Sequence, residues 1–230
     1  MVKRVSPDDH ARIRAAIQTA ETRTSGEIFC VLARDVSTYR DISLFWATGA
    51  AFLLPLGLVP FGFEPSWIPG FGSGWDAAHL SARGTETGQA LAAYALVQTA
   101  VFIFVYALLR LPVMRRIATP RGVRRSRVRR AAMHQFLAHG LHVTEERTGV
   151  LIFAAMGDRQ VEVIADRGIH SRVDQGVWAN AVAALTEGLK SERPAEGFEA
   201  AIALVSEVLA EHFPPRPRNP NEIADRLVEI

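Results

Sequence analysis

Three aspartates stand where strands are expected to end. Asp35 follows the apolar run "EIFCVLA", Asp166 follows "QVEVIA", and Asp158 sits in the "MGDR" that separates "GVLIFAA" from "QVEVIA". Strand ends in α/β sheets are where functional groups gather. Carboxylates are hard oxygen ligands, so convergence of Asp35 and Asp166, with Asp158 as a weaker third, would suit Ca²⁺ or Mg²⁺ rather than zinc. Each residue also has a plain structural use: Asp158 in a turn, Asp166 as a loop hydrogen-bond acceptor, Asp174 as a helix cap. Asp158 belongs to the turn between the two later strands, which draws it toward the opposite sheet end from Asp166.

Other nucleophile and metal signals are thin. His134, His139 and His142 are near one another in sequence but lack HExxH spacing, and they read as solvated or capping side chains. Ser25 and Ser171 have no neighbouring base, and the chain has no G-x-S-x-G elbow, phosphate-cradling glycine loop or cysteine-based phosphatase loop. Cys30 is the single cysteine, so an internal disulfide and a thiolate cage are excluded; within its apolar run it reads as a core thiol. An enzyme here would need a site assembled only in three dimensions.

The elements that must position these residues are of two kinds. Residues 44–63 and 90–109 are uncharged apolar segments, each matching the roughly 20 residues that cross a bilayer core of about 30 Å. Pro55 and Gly57 in the first are tolerated in lipid when neighbours satisfy the freed backbone. Between them a loop of about 64–89 carries Glu64, Asp76 and Glu86 against Arg83, and Trp46, Trp67 and Trp75 lie near the expected interfaces. A basic collar follows: Arg110, Arg115, Arg116, Arg121, Arg124, Arg125, Arg127, Arg129 and Arg130. The positive-inside bias places these arginines and both termini in the cytoplasm, with an inner-membrane anchor of two helices. Such a collar is drawn to anionic head groups by about 1 kcal/mol per basic residue near the surface. Nucleic acid is the weaker partner, because no aromatic or helix-turn-helix context accompanies the arginines. Neither span holds a carboxylate, lysine or arginine, so the pair reads as an anchor rather than a pore. Gly49, Ala50 and the alanines of the second span are candidates for close helix packing. The start of the chain has basic residues with no apolar stretch behind them, so no cleavable signal peptide is expected.

The remaining sequence forms one split domain. Ser6, Pro7, Asp8 and Asp9 give a helix start, and a helix over 7–23 leads through "TSG" into a strand at Glu27–Ala33. After the spans come a helix over 126–139, a hairpin of strands Gly149–Ala155 and Gln160–Ala165, and helices over 174–189 and 195–212. A lone helix and strand before Asp41 cannot bury their apolar faces, whereas three strands with four helices can. The reading is therefore residues 1–41 and 111–213 as one small α/β domain, interrupted at 42–110 by a transmembrane hairpin, with a tail at 214–230.

The pieces "TSGEIFCVL", "HGLHVTEERTGVLIFAAMGDRQVEVIADRGI", "VWANAVAALTEGLKSERPAEGFEAAIALVSEVLAEHFP" and "NPNEIADRLVEI" resemble the TPM domain, in its bacterial membrane-protein branch. The hairpin followed by a Trp-bearing helix carries most of that likeness. The resemblance implies a three-layer helix–sheet–helix fold. It also implies a relation to a thylakoid-lumen acid phosphatase and to calcium binding, with metal and phosphatase roles falling on acidic residues such as Asp35, Asp166 and Asp158. The expected function is an inner-membrane-anchored binding or accessory module for membrane-associated partners. A divalent-metal-dependent phosphatase is the alternative.

Overall fold

The computed structural model describes residues 5–62, 86–217 and 219–230. The chain divides into two compact units, residues 1–38 with 121–230, and residues 39–120. The boundaries widen the expected hairpin, 42–110, at both ends.

In the first unit, α1 (Pro7–Glu21) starts as its sequence dictates. The Ser6 side chain accepts from the Asp9 N–H at 3.1 Å and the Asp9 carboxylate accepts from the Ser6 N–H at 3.2 Å, a reciprocal cap with Pro7 at the first position. β1 (Glu27–Ala33) is buried along its whole length. Its alternate side chains serve two cores. Ile28, Cys30 and Leu32 join Val150, Ile152 and Ala154 on one face, while Phe29, Val31 and Ala33 join Leu151, Phe153 and Ala155 on the other. The continuous apolar run thus reflects a strand covered on both sides. β2 (Gly149–Ala155) pairs parallel to β1, with Glu27 opposite Gly149, and β3 (Gln160–Ala165) pairs antiparallel to β2, with Ala155 opposite Gln160.

A fourth strand, β4 (Leu227–Glu229), lies within the expected tail and runs parallel to β1 on its other side, giving the order β3-β2-β1-β4. Three residues are too few for a strand signal in sequence, and the pairing comes from the free edge of β1. The tail's end is pinned by Arg34 N–H donating to the Ile230 carbonyl at 2.9 Å. Between β1 and β2 the chain forms α2 (Arg40–Leu58), α3 (Glu86–Leu108) and α4 (Pro112–Ala118) in the second unit and α5 (Arg121–Ala138) in the first. α5 starts five residues earlier than its apolar stripe suggests. It covers one sheet face through Val128, Ala132 and Phe136. α1, α7 (Ala179–Lys190) and α8 (Pro194–His212) cover the other, through residues such as Ile17, Leu185 and Phe198. The result is the three-layer helix–sheet–helix domain. After the one-turn α6 (Arg167–His170), the helix expected over 174–189 begins instead as a 3-10 turn at Gln175–Trp178, capped by Asp174 accepting from the Gly176 N–H at 2.9 Å. α7 and α8 approach so closely that a methyl added at Gly188 would sit 2.6 Å from the Gly197 Cα.

In the second unit, α2 and α3 pack side by side and are long and apolar enough to cross a membrane. Only 22% of the α2 span and 6% of the α3 span is buried, unlike a core helix of a soluble protein, and Phe45, Leu53 and Phe104 are about 70% exposed. The buried side of α2 is Ser43, Ala47, Ala51 and Pro55, a stripe of small residues at every fourth position. Gly49, expected to serve in packing, has nothing within 4 Å of where a side chain would begin. Trp46 donates through Nε1 to the Ala118 carbonyl at 2.9 Å, and the Arg115 guanidinium lies over the Tyr39 ring. Trp67 and Trp75 lie outside the described residues.

Candidate functional site

The predicted acidic trio is divided by the sheet. Met156 and Gly157 donate their N–H groups to the Ala33 and Arg34 carbonyls, which sets the β2–β3 turn against the end of β1. Asp35 lies over that turn, its Oδ1 only 2.8 Å from where a Gly157 side chain would begin, so glycine is required there for close approach. Asp158, buried in the same turn, shares this sheet end. Asp166 is at the other end: its N–H donates to the Gly149 carbonyl at 2.9 Å, at the start of β2. A seven-residue strand separates the two ends by about 20 Å. One ion cannot be shared by Asp35 and Asp166. Asp166 instead caps α6, accepting from the Arg167 N–H at 2.7 Å. Among the described residues no group of three or more His, Cys, Asp or Glu side chains is placed to hold a metal ion. The trio therefore does not fit a Ca²⁺ or Mg²⁺ ligand set as one site.

The histidines are likewise dispersed. The His139 ring packs on Phe29 with centroids 4.4 Å apart, and burial, helped by Arg226, holds its pKa below the usual value. Ser171 donates to the Gly168 carbonyl, and Ser25 donates to the Glu146 carboxylate at 3.4 Å, a contact that sequence spacing did not foretell. Burial pushes the Cys30 thiol up, consistent with an inert core residue.

The arginine collar is distributed between the two units. Arg115 and Arg116 belong to α4 in the hairpin unit; Arg121, Arg124, Arg125, Arg129 and Arg130 belong to α5 in the α/β unit. On α5 they point different ways. Arg127 donates to the Ser37 hydroxyl at 2.7 Å, and Arg130 lines a cavity with Val36 and His134. Arg125 and Arg129, one turn apart, reach over the outer strand to Glu162 at 3.8 and 3.6 Å.

These two arginines form one wall of an open trough of about 490 Å³. Its floor is Arg159 and β3 from Gln160 to Val163, and its other wall is Trp178 with Ala179, Val182 and Thr186 of α7. A second cavity of about 300 Å³ shares Arg129, Val163 and Trp178 with it and continues along Ile164 and Ala165 to Arg167 and His170. Glu162 is 8% exposed, and its burial, opposed by Arg129 and Arg125, raises its carboxyl above the usual carboxylate range. Two guanidiniums, those of Arg125 and Arg129, therefore reach the Glu162 carboxylate, and Arg159 lines the same trough. Arg159 and Arg167 have no carboxylate partner among the described residues. Arg159 is held with φ at 49°, in the left-handed region. The hairpin's unusual backbone falls on this arginine, a residue that lines the trough, rather than on the glycine two residues before it.

Glu162, Arg159 and Trp178 do not stand out as a group in sequence. The signal that could have found them is the lone charged side chain in "QVEVIA", together with two arginines at i, i+4 on a helix due to pack over it.

Residues 116–208 match the TPM domain family. β1 and β4 lie outside that match, yet they complete its sheet. The fold is similar to the NMR structure of the BA42 protein from the psychrophilic bacterium Bizionia argentinensis, with a TM-score of 0.56 and 16% identity, covering 99% of this chain and 97% of that one. No curated protein matches the chain.

Proposed function

We propose that this chain, which carries a TPM domain, is a membrane-tethered binding module whose ligand surface is the arginine-walled trough along β3. The carrying observation is the imbalance of charge there: Arg125, Arg129 and Arg159 line the trough with Glu162 as its one carboxylate, beside an apolar wall. Such a surface favours an anionic partner, and the charge is held by a helix and a strand, so it is positioned before any ligand arrives. Tethering is supported by the exposed apolar surfaces of α2 and α3. By the positive-inside bias the arginines of α4 and α5 would lie on the cytoplasmic side.

The test uses the full chain in nanodiscs of zwitterionic lipid and a fluorescent oligoglutamate as probe. Saturable binding that weakens with rising salt and is lost in Arg125→Gln/Arg129→Gln/Glu162→Gln is the expected result; the triple change removes both arginines without stranding the carboxylate. Equal binding by wild type and triple variant would overturn the reading. Accessibility of engineered cysteines on either side of the nanodisc-embedded spans checks the tether.

A divalent-metal-dependent phosphatase gains no comparable support, because Asp35 and Asp166 occupy opposite sheet ends.

A further inference from the structure

β3 is the outermost strand of the sheet, and among the described residues no strand pairs with its free edge. An unpaired edge offers alternating N–H and C=O groups at the spacing of another strand. Here both cavities open along that edge, and together they are lined by every residue from Arg159 to Ala165. The six residues of β3 offer about 20 Å of pairing length.

The two walls differ in chemistry. Side chains of β3 alternate between them: Glu162 and Ile164 face α5, whereas Val161 and Val163 face the core side covered by α7. An added strand continues the same pleat, so its side chains alternate as well. Those on the α5 side meet Arg125 and Arg129; those on the α7 side meet Trp178, Ala179 and Val182.

We propose that the trough binds an extended polypeptide segment of alternating acidic and apolar residues, which adds to β3 as a fifth strand. The proposal rests on the reading of the trough as an anion-binding surface and names its ligand class. A second copy of this chain pairing edge to edge would bring the same arginines together, and like charges oppose that arrangement. Phosphate-based ligands would use the guanidiniums but leave the strand's own donors and acceptors and the Trp178 wall unused.

The experiment uses the full chain in zwitterionic nanodiscs and fluorescence anisotropy with an end-capped hexapeptide of alternating Glu and Val. Two N-methylated forms are compared, one methylated at the Glu amides and one at the Val amides. Only one of these sets faces β3, because backbone groups of a strand alternate in direction. The expected result is saturable binding by the parent peptide and loss of roughly tenfold or more on methylating one set, with little change for the other. A blocked peptide of the same composition, Glu-Glu-Glu-Val-Val-Val, should bind more weakly than the alternating one. If all these peptides bind alike and all depend on Arg125 and Arg129, strand addition is wrong while the anion-binding surface stands. If none binds in a manner sensitive to the triple variant, both readings fall. Absence of peptide binding together with tight binding of oligothymidylate or of phosphatidylserine vesicles would overturn the proposal in favour of a phosphate ligand.

Discussion

At the residue scale, buried carboxyls set the pH behaviour of the α/β unit. Glu21, at the end of α1, accepts from the Ile28 N–H at 2.9 Å, and burial, with Glu27 and Asp225 nearby, pushes its pKa up to about 9 from an ordinary value of 4.5. Below pH 4.5 both folded and unfolded chains hold this proton, so stability is fully present. Between there and about 9 the unfolded chain releases a proton the folded one keeps, and stability falls as pH rises. Glu21→Gln keeps an oxygen for the Ile28 N–H. It should raise stability at pH 7 by on the order of 2 kcal/mol and flatten the pH dependence of the urea midpoint between pH 5 and 9. A steeper dependence in the variant would contradict this. Arg159 makes the opposite bargain, its positive φ costing stability where its charge serves the trough. Arg159→Gly should therefore raise the thermal midpoint by a few degrees, about 1 kcal/mol, while weakening oligoglutamate binding. Scanning calorimetry and anisotropy on the same preparation check the two effects together.

At the element scale, periodicity located the helices and strands, but their packing faces needed partners. The α2 stripe of Ser43, Ala47, Ala51 and Pro55 is buried while Gly49, which composition alone favours as a packing residue, faces open space. Small residues pack only where another backbone comes near, and that depends on the rotation of each helix. Ala51→Leu should wedge into this seam and cost about 1–3 kcal/mol, whereas Gly49→Leu should be close to neutral. Thermal unfolding of both variants in detergent micelles separates them; equal costs would show that the seam is elsewhere. Likewise β4 is invisible as a three-residue pattern and is created by the exposed edge of β1, where Cys30 meets Leu227.

At the scale of the whole molecule, two units share one chain because the hairpin enters the α/β unit between Thr38 and Arg121. Ser37 is hydrogen-bonded to Arg127, less than two turns into α5, so those two chain ends are near each other within that unit. Replacing residues 39–120 with a flexible linker of about ten residues should leave a soluble domain that folds cooperatively. Far-UV circular dichroism with a single sharp melting transition is the expected outcome, and a molten product would refute the independence of the unit. The sequence by itself determined the fold class, the bounds of β1, β2 and β3 and the two membrane-length segments, because burial on both faces, turn chemistry and apolar length are local properties of the chain. Only the tertiary structure decided that Asp35 and Asp166 lie at opposite sheet ends, that the collar is shared between two units, and that Arg125 and Arg129 meet Glu162 in a trough that Arg159 also lines. Those facts follow from strand direction, register and the rotation of α5 over the sheet. Such quantities are fixed by long-range pairing, which no short stretch of sequence encodes.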